Sequence, residues 1–430
     1  TPGARSGGAF GARRAYSGAM NPSRDSRPGI REIFLDYTPL VEPLSLDEAY
    51  LEETLLQLLA IPSPVGLTDA VVRYTASRLD AIGIPYEITR RGAIRATLKG
   101  REPRPARAIV AHLDTLGAMV REIKPNGRIG IVPIGSWSSR FAEGARLTVF
   151  TDTQQLRGTC LPLKTSGHAF GDGIDTQPNS WDHVEVRLDM PSNSQADLSE
   201  LGIHVGDWIA FDPQPEVQPG GYINARYLDD KAAVAVLLAA CKAIVDSGAK
   251  LAVDAHPLFT ITEEVGSGSS AALHGDIAEM VSLDIAIAAP GQATDERAVT
   301  ICLQDQSGPF DYHLSHKLIG LAQSFGIEHR RDVFRFYRSD SAAAVEAGND
   351  IRTALIGFGA DASHAQERTH FDSLRALGQL SMAYLMSEPV AARDRKSMGS
   401  LEGFTEQLKP VDMQVATTPL PDPQDFLEPG

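Results

Sequence analysis

The sequence predicts an α/β protein whose main domain is interrupted by an all-β insertion. Helical periodicity ahead of a first apolar strand, and apolar strands alternating with a long apolar helix in the second half, predict the α/β part. A change of character between about 118 and 222, where short runs are separated by Gly, Pro, Asn and Asp turns, predicts the insertion. At 430 residues the chain exceeds one ordinary core, and its 43% hydrophobic content is enough to build two. The expected order is a leader over 1–30, the main domain over 31–118 and 223–392, the insertion over 119–222 and a tail over 393–430.

Charge and composition narrow the function. A net charge of −15 and a pI near 5.2 argue against nucleic-acid binding, which needs a basic surface to displace counterions, and suggest no anionic membrane partner. Apolar runs are too short and too often broken by Asp, Lys or Gly to span a bilayer. Cys160, Cys241 and Cys302 are odd in number and form no Cys-x-x-Cys pair, so reduced, buried thiols and a cytoplasmic setting are expected. Arg13 and Arg14 hint at an export signal, but no apolar stretch follows, and the segment reads as a flexible leader with Met20 as a candidate start.

Ser45, with Glu48 three residues on, forms a capping box ahead of an amphipathic run over 46–60. Pro62, Pro64 and Gly66 end it. Thr68 is placed to cap a second helix, whose Val71, Val72, Leu79 and Ile82 recur at helical spacing before Gly83. The apolar run over 107–111 ends on His112 and Asp114, as a buried parallel strand delivers polar groups at its C-terminal edge. Beyond the insertion, 229–245 reads as a long apolar helix, and strands are expected over 257–262, 285–289 and 355–358.

Several positions carry chemistry. His112 and Asp114 lie two apart on a strand end, so their side chains share a side and the carboxylate can orient an imidazole that binds metal. Asp229 and Asp230 open a helix, where an N-cap is the structural alternative. Glu263 and Glu264 close a strand ahead of a Gly/Ser loop entering another helix. Adjacent carboxylates repel and burial raises their pKa, whereas a cation relieves both, with one carboxylate as ligand and its neighbour as general base. Asp284 ends another apolar approach. His364 and His370 lie in a small-residue loop after a strand, and either one completes the inventory. Two histidines, three ligand carboxylates and a spare glutamate suit two divalent ions roughly 3.5–4 Å apart.

These segments resemble the glutamyl aminopeptidase family of dinuclear metallopeptidases, which includes the tetrahedral aminopeptidases. The likeness runs over 46–387 and is carried by Ala111-His112-Leu113-Asp114-Thr115-Leu116-Gly117, Gly202-Ile203-His204-Val205-Gly206-Asp207, Tyr227-Leu228-Asp229-Asp230-Lys231 and Thr262-Glu263-Glu264-Val265-Gly266. It implies a zinc-peptidase-like central mixed sheet flanked by helices and a metal-dependent aminopeptidase. It further implies that Asp229 bridges the ions, His112 and Asp284 complete one site, and Glu264 and His364 the other. Glu263 would be the base, with Asp114 steadying His112 and Asp340 in an acidic motif near the site. The insertion would serve dimerisation within a larger homo-oligomer. Zinc is the expected ion, with cobalt or manganese also suited to His and carboxylate. The family's Arg-Tyr-x-His-Ser-Pro pattern is replaced here by Asp361-Ala362-Ser363-His364-Ala365-Gln366-Glu367. That departure resembles a branch accompanying the osmoprotectant N-acetylglutaminylglutamine amide, which implies a small peptide-like solute as substrate. The rival readings are a dinuclear deacylase or carboxypeptidase acting on N-acyl amino acids, with Arg330, Arg331, Arg335 and Arg338 as its cationic candidates, and a non-catalytic assembly protein.

Overall fold

The computed structural model describes residues 48–396 and 398–404. The Ser45 cap, the leader and the tail past 404 lie outside the described residues. Helix α1 (Glu48–Ala60) buries Leu51, Leu55, Leu58 and Leu59, and α2 (Asp69–Ile82) buries Val71, Val72 and Leu79. Gly83 ends α2 at φ 82°, its N–H donating to the Leu79 and Asp80 carbonyls. Thr68 occupies the N-cap position but makes no side-chain cap. Its backbone is helical (φ −108°, ψ −1°) rather than extended, so the hydroxyl is not aimed at the free N–H groups.

The chain continues through β1 (Tyr86–Ile88), β2 (Ile94–Ala96) and β3 (Gly100–His112) into a closed barrel. Its strands are β4 (Gly117–Ile123), β5 (Ile129–Ile134), β6 (Arg146–Phe150), β7 (Gln155–Pro162), β8 (Val184–Leu188) and β9 (Trp208–Phe211), with short helices α3 (Gly167–Phe170) and α4 (Gln195–Glu200) between strands. The neighbour order β4-β5-β8-β7-β6-β9 leaves no open edge, and Val120, Ile131, Leu147, Val149, Val186 and Ile209 fill a separate core.

After the barrel come β10 (Glu216–Val217), β11 (Tyr222–Ala225), α5 (Leu228–Ser247), β12 (Leu251–Thr260), β13 (Ile277–Ile287), β14 (Val299–Asp305), β15 (Gly308–Pro309), α6 (Tyr312–Ser324), β16 (His329–Val333), α7 (Asp340–Glu346), β17 (Arg352–Asp361), β18 (Glu367–His370) and α8 (Phe371–Met386). These build a 12-stranded mixed sheet of order β1-β2-β12-β3-β13-β17-β18-β11-β10, with β14 to β16 attached beside β17. Strands β12, β3, β13 and β17 are mutually parallel at its centre, with Thr260 opposite His112 and Asp284 opposite Gly357. Their C-terminal ends therefore gather polar side chains at one edge. The mixed α/β architecture with a separate antiparallel barrel is the fold class the sequence predicts. Helix α5, buried along nearly its whole length, packs against β3 and β13 and against helices α1 and α8.

Three local expectations fail for one reason, which is that pairing overrides local pattern. Strand β13 runs unbroken through Asp284 because it is flanked by β3 and β17, so Asp284 does not end a strand ahead of another. Strand β12 begins at Leu251, since its first half pairs with β3. No helix follows Glu264; single 3-10 turns at Glu263–Val265 and Ser269–Ala271 lead straight into β13. At the C-terminal end, Arg352 holds Asp394 at 2.7 Å and Asp311 at 2.9 Å.

The two bodies join where β3 gives way to β4. Trp208 Nε1 donates to the Val65 carbonyl and Trp137 Nε1 to that of Gly117. A Cβ on Gly117 would stand 2.7 Å from Pro64 Cβ and 2.8 Å from the Ile209 carbonyl oxygen, on opposite sides of the joint. Gly117→Ala should destabilise the protein by about 1–3 kcal/mol, read from the urea midpoint; an unchanged midpoint would show that the joint is loosely packed.

Candidate metal centre

Two groups of donors converge at the C-terminal edge of the sheet. One is His112, Glu263 and Asp284; the other is Asp229, Glu264 and His364, the donor atoms within each lying no more than 4.8 Å apart. Asp229 stands between them. Its Oδ1 is 3.2 Å from His112 Nε2 and its Oδ2 3.6 Å from His364 Nε2, which is also 3.4 Å from Glu264 Oε2. One carboxylate thus presents one oxygen to each imidazole.

Both imidazoles are oriented alike. His112 Nδ1 donates to the Asp114 backbone carbonyl at 3.0 Å, and His364 Nδ1 to the Ser136 carbonyl at 2.8 Å. With Nδ1 held as the donor to a carbonyl, each Nε2 faces the carboxylates and is the atom that gives up its proton to a metal. Ser136 belongs to the loop after β5, so the barrel contributes to the centre. Gly135 brings that loop in at φ 80°, and a Cβ there would collide with Leu116.

The structure changes the role of Asp114. Its carboxylate lies 3.8 Å from His112 Nδ1, while its two oxygens accept the backbone N–H groups of Glu263 at 3.2 Å and Glu264 at 3.1 Å. It therefore fixes the turn that carries both glutamates, and its carbonyl orients the histidine. Asp230 is fully buried and accepts from the His112 backbone N–H at 3.1 Å. Asp229 and Asp230 have non-helical backbones inside α5, so neither acts as an ordinary N-cap. Lys231, next along, donates to the Leu58 and Ile61 carbonyls at the end of α1, and burial pushes its pKa down to about 7.

His370 is not in the centre. Its Nε2 donates to the Gly220 carbonyl and its Nδ1 caps α8 by accepting from Asp372. Asp340 is buried outside both groups, accepting from the Thr260 hydroxyl at 2.7 Å and the Ser269 N–H. Of the four arginines considered for a cationic pocket, Arg330 pairs with Glu328 and Asp295, and Arg338 with Glu346. Arg335 and Arg338 line the cleft of about 1000 Å³ that opens over Asp229, Glu263, Glu264 and Asp284, together with Gln292, Gln306, Phe334 and Tyr337. Sequence reasoning missed Glu367, 2% exposed, whose oxygens accept from the backbones of Asp229 and His364. Its only signal was a glutamate three residues after a candidate ligand.

The charge balance calls for cations. Burial, then the charges of neighbouring acids, hold the Glu263, Glu264, Asp284 and Asp230 carboxyls well above their ordinary range. Burial alone would lower the pKa of His112, but its hydrogen bond to Asp229 and the surrounding carboxylates raise it well above normal. Asp229 is raised by burial but brought below its ordinary value overall by His112, His364 and the Ser363 hydroxyl. An excess of oxygen donors over two imidazoles, with both Nε2 atoms aimed inward, fits divalent cations.

A scan against family models matches residues 92–380 to the M42 glutamyl aminopeptidase family. Putative aminopeptidase YhfE of Bacillus subtilis (strain 168) is 40% identical over 339 residues, covering 79% of this chain and 98% of that protein. Glutamyl aminopeptidase of Lactococcus lactis subsp. cremoris (strain MG1363) is 29% identical over 180 residues, 41% of this chain and 48% of the relative. Among solved structures, a TET aminopeptidase from a marine sediment Thaumarchaeota archaeon superposes with a TM-score of 0.73 at 18% identity, covering 80% of this chain and 99% of that one. The Pyrococcus horikoshii TET1 peptidase, described as assembling into a tetrahedron or a large octahedral shell, gives 0.70 at 22% identity over 78% and 99%.

Carboxyls with raised folded-state pKa values stabilise the fold while protonated, and that stability is lost as pH rises through those values; the raised His112 acts in the same sense. Asp229, held low, titrates below this window. The chelated protein should therefore melt at higher temperature at about pH 6 than at about pH 8, and metal-loaded protein should show the reverse, since protons compete with cations for the same atoms. Thermal scans of both forms check this; a chelated protein that melts lower at about pH 6 contradicts it.

Proposed function

The chain belongs to the M42 glutamyl aminopeptidase family and is a metal-dependent aminopeptidase, and we propose that it works with two divalent ions, zinc by preference, on short peptides or small peptide-like solutes. The observation that carries the dinuclear reading is Asp229, whose two oxygens each face a different inward-pointing Nε2. His112 and Asp284 would hold one ion and Glu264 and His364 the other, with Asp229 shared. When bound, such ions supply Lewis-acid activation of the scissile carbonyl and a water of lowered pKa.

Glu263 serves as the general base in this reading. Its side chain is 13% exposed, against 7% for Asp229 and 3% for Glu264, so it is the glutamate with the freer access to the cleft. A raised pKa suits a group that takes a proton and returns it to the leaving amine. The carboxylate floor attracts the cationic α-amine of a free N-terminus, which favours an aminopeptidase over a deacylase of N-acyl amino acids. The deacylase needs a cationic anchor; Arg330 and Arg338 are engaged by acids, which leaves Arg335, lying over the Phe336 ring at the cleft, as its candidate. A full donor set gives no support to a non-catalytic assembly protein. The osmoprotectant link is a finer version of the same reading, in which the substrate is a small peptide-like solute that must present a free α-amine.

Glu263→Gln should lower kcat by roughly 10²–10⁴-fold while metal content stays at the wild-type level; undiminished turnover would remove Glu263 from the base's role. Parallel assays on aminoacyl amides and N-acetylated amino acids should favour the former, and preference for the acetylated set would support the deacylase.

Among the described residues no helix is long and apolar enough to cross a membrane. A cytoplasmic homo-oligomer built from dimers through the barrel completes the proposal, supported by the assembly reported for the TET1 neighbour. Light scattering should then give a native mass several times the 46.2 kDa of one chain; a monomer at micromolar concentration would count against it.

A further inference from the structure

We propose that Glu367 is a positioning residue for the reaction, one that sets the Asp229–Glu264–His364 half of the centre by holding two of its three ligands through their backbones. The inference rests on the dinuclear reading above. Glu367 begins β18, where its backbone is fixed in the sheet opposite Ala225 of β11. Its Oε2 accepts from the Asp229 N–H at 3.0 Å and its Oε1 from the His364 N–H at 3.0 Å. Both oxygens are thereby occupied by the backbone, and Glu367 is not among the grouped donors.

Both residues it holds need holding. Asp229 has φ −71° and ψ 103°, outside helical values although it lies within α5. His364 sits at φ 56°, a conformation side-chain-bearing residues seldom adopt. Neither position is stabilised by regular secondary structure, yet their side chains must converge to bring His364 Nε2 within 3.6 Å of Asp229 Oδ2. One carboxylate bridging the two backbones fixes that separation.

Asp114 provides the internal comparison. It grips Glu263 and Glu264 in the same two-oxygen manner, but those residues belong to different halves of the centre, so its loss acts on both. Glu367 acts on one. A buried acid with a merely structural role would weaken the two halves together through the stability of the fold.

The test is metal binding to chelated protein, with zinc by equilibrium dialysis and with cobalt(II) by its visible absorption. Wild type should take up two ions. Glu367→Gln, which keeps one carbonyl oxygen and turns an amide N–H toward the other donor, should weaken the His364 site by about 10–100-fold and the His112 site, which feels the change only through Asp229, by clearly less. Half of the cobalt band should become dependent on high metal concentration, and kcat should recover as zinc is raised. Glu367→Asp, which keeps the charge but falls short of spanning both N–H groups, should give the same selective loss and serves if the Gln variant does not fold. Equal weakening of both sites, or of neither, overturns the proposal. Active wild type that binds fewer than two ions overturns the dinuclear reading instead.

Discussion

Negative charge crowded into a buried space governs this molecule. Asp229, Asp230, Glu263, Glu264 and Asp284 meet at one sheet edge, where His112 and His364 are the imidazoles grouped with them among the described residues. Desolvated carboxylates at such spacing cannot all ionise, and the raised pKa values of four of them express that conflict. Divalent cations resolve it, and the surrounding structure is arranged to keep the donors in place before any cation arrives. Asp114 and Glu367 each accept two backbone N–H groups, and Asp340 accepts one backbone N–H and one hydroxyl. Acids that hold backbones rather than ions therefore surround the acids proposed to hold ions. A ligand cluster built on turns gains rigidity this way without a regular element running through it.

The same constraint accounts for the position of the barrel in the chain. The polypeptide leaves the sheet just after His112 and Asp114 and returns just before Asp229, so both ends of the insertion are anchored at the centre. From there the loop after β5 reaches back, and the Ser136 carbonyl selects the tautomer of His364. Gly135 permits the approach because any side chain would meet Leu116. The barrel is consequently part of the chemistry of the site as well as a body with its own core.

Much of this was legible in the sequence because it depends on order and period. The two leading helices follow from Leu51 to Leu79 at helical spacing, and His112 at the end of an apolar run follows from the habits of parallel strands. Glu263 and Glu264 stand out because adjacent acids after an apolar strand have little stabilising purpose. Glu367 did not stand out, since an isolated glutamate near a histidine looks like any surface acid; its burial depends on β18 pairing with β11, where it lies opposite Ala225, far back in the chain. Asp284 was found for the right residue type on a mistaken break, because periodicity cannot separate one long strand buried on both faces from two short ones.

By itself the sequence determined the fold class, pointed to the candidate donor residues in their order and marked a β-rich stretch inside the α/β part, because apolar periodicity, turn residues and adjacent acids are local properties. It left open which histidine joins the cluster, and it did not reveal that the Asp114 carboxylate holds the turn of Glu263 and Glu264 while its carbonyl orients His112. Only the tertiary structure decided these. His370 is drawn off to cap α8, while a left-handed turn at His364 and the Ser136 carbonyl aim the other ring inward. Asp114 finds its partners in a turn about 150 residues further on, which come within reach only because β3 and β12 are paired in the sheet, His112 opposite Thr260. Contacts of that kind are set by strand register and loop closure, and no local pattern of residue types encodes them.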